Sequence, residues 1–320
     1  MKREILHRNL LEVLKKKVPE KADVVEILMK LLYMEKGAVY RRLRGEVPFS
    51  FYEIVNIAEK LNISLNDLVY SYADRVDRFE MSIQSTDMNS MDYKHWEYYI
   101  SMISSVKGDP LSESAEASNV LSLSIYAGFD SLLKYFLFKY QYLNSGMESR
   151  ISFKNFTVPE RLTQIIKEYY YESKHFAKTI FVWDYSIFQY LVDDVKYFYS
   201  INMISDEEVQ EIKKDLFCVL DYIEKITVNG YFEETRNPVF IYKSDINLDS
   251  IYSYMQINDV YISLVRIYIL NSVVSVVKSS FEIMKKWIQS LIKSSVLITK
   301  SGALFRTEFF EKQRKFISEL

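Results

Sequence analysis

The sequence predicts a mainly α-helical protein, in which an N-terminal five-helix bundle precedes an α-rich α+β domain with a small antiparallel β-meander. Three observations predict this fold class. Apolar residues recur at helical spacing along most of the chain. Helix-capping residues such as Ser50 and Ser205 stand directly before apolar runs. Residues 238–277 are instead rich in β-branched and aromatic residues, and the turn-forming pair Asn258-Asp259 separates two of their runs.

The length and composition bound the class of protein. The chain has 320 residues, of which 49% are hydrophobic and 26% are charged, and this suits two or three globular domains. Cys218 is the single cysteine, so no internal disulfide can form, and we find no secretory leader pattern. We therefore expect a cytoplasmic protein. Arg266 interrupts the apolar run Val260–Val277, whose β-branched content predicts buried strands rather than a membrane span.

The first domain is expected to span residues 1–72. Ser50 and Glu53 have the spacing of a capping box, in which each side chain bonds the other residue's backbone amide. Gly45 is expected to end the helix before this box. A linker or edge strand should follow at 73–90. The predicted helices lie near residues 3–18, 22–33, 36–44, 51–61 and 65–72.

The third predicted helix has two chemically different faces. Val39 and Leu43 lie four residues apart and can face inward together. Between Lys30 and Arg44 there are five basic residues and one acidic residue, a local excess of four positive charges. Residues 1–70 carry a net charge of +3, whereas the remaining chain carries −5. A DNA-binding surface is therefore expected on this helix, formed by Lys36, Gly37, Tyr40, Arg41 and Arg44.

The segment Leu32–Gly45, together with Leu61–Leu68, resembles the lambda-repressor-like (Cro/Xre) helix-turn-helix family. The resemblance covers the first quarter of the chain and departs from the family pattern at Glu35, where a Ser or Thr cap is usual. It implies a bacterial transcription regulator that places helix 36–44 in the DNA major groove. It also implies a homodimer on a pseudo-palindromic operator. The rest of the chain is similar to poorly characterised regulators with such an N-terminal domain.

The second domain is expected to span residues 91–320. Helices are predicted near 91–107, 122–143, 158–174, 182–200, 205–229, 280–298 and 304–319, with the meander at 238–277. Its aromatic residues suit a core or a dimer interface better than a discrete ligand-binding motif, although aromatic residues also line ligand pockets. This domain is expected to mediate dimerisation and to sense an effector.

An enzymatic function is not predicted. His7, His95 and His175 stand alone in the sequence, without neighbours at metal-ligand spacing, and no glycine-rich phosphate loop is present. Cys218 is expected to be a buried, inert thiol. Neither a metal nor a cofactor is expected. Arg266 must face solvent, pair with an acid or bind an anionic ligand, and solvent on the outer face of the sheet is the expectation.

Two alternatives to a DNA-binding regulator remain open. The first is a protein-interaction adaptor whose N-terminal helices dock a partner, in which case replacing Arg41 and Arg44 should have little effect. The second is a small-molecule receptor with a pocket between the meander and the preceding helices. A small molecule or a peptide could also serve as effector of the regulator, and the sequence identifies neither.

Overall fold

The computed structural model divides the chain into two compact units, Met1–Val76 and Asp77–Leu320. The structure describes residues 2–18, 23–61, 63, 80–82, 88, 91, 93–144, 151–267 and 270–320.

The first unit contains helices α1 (Lys2–Lys17), α2 (Val24–Leu32), α3 (Lys36–Leu43) and α4 (Phe51–Lys60). Asp23 caps α2, because its side chain accepts a hydrogen bond from the amide of Val25 at 2.8 Å. Ser50 and Glu53 form the predicted capping box at the start of α4. The apolar faces of the helices share one core, which includes Leu10, Leu14, Leu28, Val39, Phe49 and Ile57.

The predicted five-helix bundle is corrected to four helices in the part of this unit that the structure describes. The fifth helix, predicted near residues 65–72, lies outside the described residues. Each of the other four predicted helices is present, and its ends fall within three residues of the predicted ones.

The second unit is built on one mixed β-sheet, with eight strands among the described residues. The order across the sheet is β1-β7-β6-β5-β2-β3-β4-β8. Strands β2, β3 and β4 are parallel to one another, and every other neighbouring pair is antiparallel. The strands are β1 (Glu80–Ser82), β2 (Glu113–Ser118), β3 (Lys178–Asp184), β4 (Val239–Ser244), β5 (Ile251–Ile257), β6 (Val260–Ile267), β7 (Asn271–Ser275) and β8 (Val296–Leu297).

The prediction of a small antiparallel meander at 238–277 is therefore wrong. Residues 239–275 do form strands, and β5, β6 and β7 run antiparallel as consecutive neighbours. However, β4 pairs with β3 in parallel, and β2 and β3 separate it from β5. Strands β2 and β3 precede these residues in the chain but lie between β4 and β5 in the sheet, where β3 pairs with β4 and β2 pairs with β5. The predicted meander is therefore only one part of a larger sheet.

Helices cover both faces of this sheet. Helix α11 (Lys278–Lys293) packs on one face, where Phe281 and Ile288 contact a core that includes Ala115 and Ile180. The opposite face is buried under a larger core formed mainly by the remaining helices. These are α5 (Tyr93–Ser104), α6 (Leu123–Tyr126), α7 (Asp130–Asn144), α8 (Glu160–Glu172), α9 (Gln189–Ser200), α10 (Asp206–Asn229) and α12 (Ala303–Ser318).

Strand β2 contributes different residue types to the two faces. Ala115 and Ala117 face α11, where a small side chain lets the helix approach the sheet. Because successive strand residues point to opposite faces, Ser114, Glu116 and Ser118 face the larger helical layer. A buried carboxylate is thereby placed between the sheet and the helical layer.

Candidate functional site

Helices α2 and α3 follow one another directly and are joined by a short turn. The turn consists of Tyr33–Glu35, and Tyr33 adopts the left-handed conformation at φ 51° with its side chain 93% exposed. Val39 is fully buried and Leu43 is partly buried against the core of the first unit. These two residues orient α3, since they fix which of its faces can reach solvent.

The C-terminal end of α3 is held by contacts from two directions. The His7 ring in α1 donates from Nε2 to the carbonyl of Leu43 at 3.1 Å. The amides of Glu46 and Val47 donate to the carbonyl of Arg41 at 2.9 and 3.2 Å. Gly45 permits this return because its φ of 77° lies in the left-handed region, which favours glycine.

Four of the five residues predicted to contact DNA lie on one exposed face of α3, and the fifth, Arg44, caps its C-terminal end on the same side. At 100° per residue, positions 36, 37, 40, 41 and 44 fall within an arc of about 140°. All five are exposed, and this includes the ring of Tyr40 at 40%. The first unit therefore presents three cations, a phenol and a bare backbone position to solvent from one short helix.

Two acidic residues border this face. The Glu46 carboxylate lies 2.8 Å from Nε of Arg44 and 3.9 Å from Nε of Arg41. Both arginine side chains are more than 60% exposed, and ion pairs of this kind contribute about 0–1 kcal/mol. Glu35 is exposed at the start of α3, and its side chain makes no capping hydrogen bond. A phosphate could therefore replace Glu46 as the partner of Arg44 at little cost.

Arg42 has a structural role that the sequence analysis missed. It forms a two-pronged ion pair with Glu53 of α4, with N–O distances of 2.8 and 3.0 Å. Burial alone would raise the pKa of Glu53, but the hydrogen bonds from Arg42 and Ser50 outweigh it and hold the pKa below its usual value. A basic residue directly beside Arg41 thus joins α3 to α4 and is withdrawn from the exposed face.

Two expectations for the second unit are overturned. Cys218 is exposed on α10 rather than buried. Arg266 does not face open solvent on the outer side of the sheet, because it lines a cavity between the sheet and the helical layer. Glu116 lines the same cavity, and its only signal in the sequence is that of one carboxylate in a short polar segment.

Within the described ranges, the chain presents neither a metal-binding cluster nor a membrane-spanning helix. No group of three or more histidine, cysteine or carboxylate side chains is placed to hold a metal ion. No helix there has the length and apolar character needed to cross a bilayer.

Comparisons of the chain with protein-family models, with curated proteins and with solved structures find no match. A function for this chain must therefore be supported by the geometry and chemistry of its own residues.

Proposed function

We propose that this protein is a cytoplasmic, sequence-specific DNA-binding transcription regulator that inserts α3 into the major groove. The observation that carries the proposal is the exposed face of α3, with Lys36, Tyr40, Arg41 and Arg44 arranged around Gly37. Arg41 and Arg44 can donate paired hydrogen bonds to guanine edges or to phosphates. Lys36 and Tyr40 can contact phosphates, and Gly37 leaves room for the DNA backbone.

The resemblance of Leu32–Gly45 to the Cro/Xre family supports the same proposal. Its expected mode of binding is a homodimer with two reader helices in successive major grooves, about 34 Å apart. The second unit, Asp77–Leu320, would then supply the dimer contacts and respond to an effector. The operator sequence should accordingly be an inverted repeat with half-site centres about 10–11 base pairs apart.

The experiment is a selection of bound duplexes from a random-sequence DNA library by the purified full-length protein. The enriched site is then titrated by mobility shift at two salt concentrations. An Arg41→Ala, Arg44→Ala double variant should bind about 30-fold or more weakly, since each of the two base contacts supplies about 1–3 kcal/mol. If the arginines instead bind phosphates, the slope of the logarithm of affinity against the logarithm of salt concentration should indicate that about two fewer counterions are released on binding.

The matched control is an Arg8→Ala, Lys15→Ala double variant. Both residues are exposed on α1, so this variant loses the same net charge without touching α3. It should bind the selected site about as well as the unmodified protein. If the two double variants bind DNA equally weakly, the loss of affinity reflects overall charge alone. That result would contradict the assignment of α3 as the DNA-binding helix.

A protein-interaction adaptor is the second candidate, because the first unit exposes large aromatic side chains. Phe51 and Tyr52, at the start of α4, are each 78% exposed, and Tyr33 is more exposed still. Aromatic residues of this kind are enriched in protein interfaces. No enrichment of any DNA sequence in the selection, from protein that is folded by circular dichroism, would favour the adaptor.

A further inference from the structure

The second unit contains a cleft on the face of the sheet that carries Glu116. Its volume is about 280 Å³, just below the usual range for pockets that hold drug-sized ligands. A smaller void of about 30 Å³, enough for a water molecule, adjoins it and shares Glu116 and Arg266 as lining residues. Glu116 and Arg266 therefore both line a metabolite-sized space.

Glu116 is the most unusual residue of this cleft. Glu116 is only 9% exposed. One of its carboxylate oxygens, Oε2, accepts a hydrogen bond from the Ser122 hydroxyl at 3.1 Å. The other oxygen, Oε1, is buried, and no donor among the described residues meets it with hydrogen-bond geometry, although the Ser118 hydroxyl lies near the carboxylate and lowers its pKa against the larger, opposite effect of burial. An unmade hydrogen bond at a buried acceptor is costly, so Oε1 is a site at which a ligand donor would gain free energy.

Arg266 supplies the opposite charge in the lining of the same cleft. It lies on β6, two strands from Glu116, and the Ser250 hydroxyl holds its backbone by donating to its carbonyl at 3.0 Å. Burial raises the pKa of Glu116, and the positive charge of Arg266 opposes this effect. Arg266 and Glu116 thus place opposite charges along the same volume.

The rest of the lining is mainly apolar. Leu121, Leu123 and Tyr126 line one part of it, and the ring of Phe136 stacks on that of Tyr126 with the centroids 3.9 Å apart. Lys139 also borders the cleft, but its ammonium is paired with Asp194. A ligand that fits this lining has a small, doubly charged head and an apolar body.

We propose that the cleft binds a free α-amino acid with an apolar side chain. Its ammonium group would donate to Oε1 of Glu116, its carboxylate would face Arg266, and its side chain would lie along Leu121 and Phe136. A carboxylic acid without the amino group would leave Oε1 without a donor. An amine without the carboxylate would bring a second cation next to Arg266. The zwitterion brings a donor to Oε1 and an anion beside the guanidinium in one molecule.

This binding site does not depend on the proposed DNA binding. The cleft lies wholly within Asp77–Leu320, whereas the DNA-binding face lies within Met1–Val76. A failure of either proposal therefore leaves the other in place. If both hold, the amino acid is a candidate effector of the regulator.

The test is isothermal titration of the full-length protein with L-leucine, L-isoleucine, L-methionine and L-phenylalanine. At least one should bind, and it should also raise the unfolding temperature reported by tryptophan fluorescence. For the amino acid that binds, the analogue that lacks the amino group and the one that lacks the carboxylate should each bind about 10-fold or more weakly. Absence of binding by all four up to about 10 mM would overturn the proposal. Equal affinity for the deaminated acid would overturn it as well.

Two variants and a control locate the ligand. Glu116→Gln keeps the size of the side chain but removes its charge, and it should weaken binding about 10- to 100-fold. Val120→Trp, which fills part of the cleft without altering Glu116, should also abolish binding and keeps the test valid if Glu116→Gln misfolds. Glu113→Gln lies on the same strand but faces α11, where Lys178 and Lys285 contact it, and it should bind normally. Unchanged affinity in the folded Val120→Trp variant would exclude this cleft as the site.

Discussion

The ion pair between Arg42 and Glu53 leads to a prediction that separates the stability of the first unit from its proposed DNA contacts. Replacing Arg42 with alanine removes two charged hydrogen bonds of 2.8 and 3.0 Å and leaves the Glu53 carboxylate buried, with Ser50 as its remaining partner. Breaking a buried ion pair costs about 3–5 kcal/mol. The two side chains are 18% and 10% exposed, so water relieves part of this cost. We expect a loss of about 2–3 kcal/mol.

The assay exploits the distribution of tryptophan. All three tryptophans, Trp96, Trp183 and Trp287, lie in the second unit, so their fluorescence does not report on the first. Hydrogen exchange followed by mass spectrometry can resolve peptides from α3 and α4. A loss of 2–3 kcal/mol should accelerate exchange there about 30- to 150-fold in Arg42→Ala, while the fluorescence transition stays unchanged.

The neighbouring Arg41→Ala variant is the control, since its side chain is 62% exposed and its nearest acid, Glu46, lies 3.9 Å away. It should change exchange less than about threefold. Similar acceleration in Arg41→Ala and Arg42→Ala would refute the reasoning, because burial of the pair would then have no energetic consequence.

The same pair gives the first unit a defined dependence on pH. The folded-state pKa of Glu53 lies below its usual value of 4.5, so the ionised carboxylate stabilises the fold fully above that value. This contribution is lost as the pH falls through the lowered pKa. The difference in hydrogen exchange between the unmodified protein and Arg42→Ala should therefore shrink below about pH 4. A difference that persists undiminished in acid would show that Glu53 ionisation is not its source.

Three further predictions follow from contacts in the two units. Glu46→Gln should strengthen binding to the selected DNA site a few-fold, because it releases Arg44 and removes repulsion of phosphate; weaker binding would contradict this role. Gly37→Ala should stabilise α3 by about 0.5–1 kcal/mol in hydrogen exchange, since a Cβ there meets no atom within 4 Å, yet it should weaken DNA binding if the backbone approaches DNA closely. Lys174→Ala should lower the stability reported by tryptophan fluorescence by about 2–4 kcal/mol, because this fully buried side chain pairs with Glu234. Lys174→Met keeps the volume of the side chain and should therefore lose less stability. Equal losses in the two variants would exclude a packing role for Lys174.

The local structure of the first unit could be predicted because its signals are local. The capping box of Ser50 and Glu53 and the turn at Tyr33–Glu35 each depend on residues within four positions of one another. The outward direction of Arg41 and Arg44 follows from the same periodicity, once Val39 is taken as buried. The partnership of Arg42 with Glu53 could not be read in this way, because it depends on how α4 packs against α3.

The sheet of the second unit could not be predicted because its central strand has an atypical composition. Strand β2, Glu113–Ser118, consists of Glu, Ser and Ala, which have low strand propensity. It is a strand because it lies between β3 and β5 and because its alanines fit under α11. The helix predicted for 182–200 also began too early, since β3 continues to Asp184 and α9 starts at Gln189. Parallel pairing joins segments far apart in sequence, and no local period encodes it.

The composition of β2 also links the prediction error to the proposed ligand site. A typical central strand would present Val or Ile to both faces and would fill the space under the helical layer. Here the sheet instead places Glu116 in that layer, with one carboxylate oxygen lacking a partner among the described residues. Arg266 interrupts an apolar strand on the same face in the same way. Polar residues that lower the local strand propensity and carry a desolvation cost indicate a function other than folding. The departure of the sequence from a strand pattern is thus a physical reason to expect a ligand at this cleft.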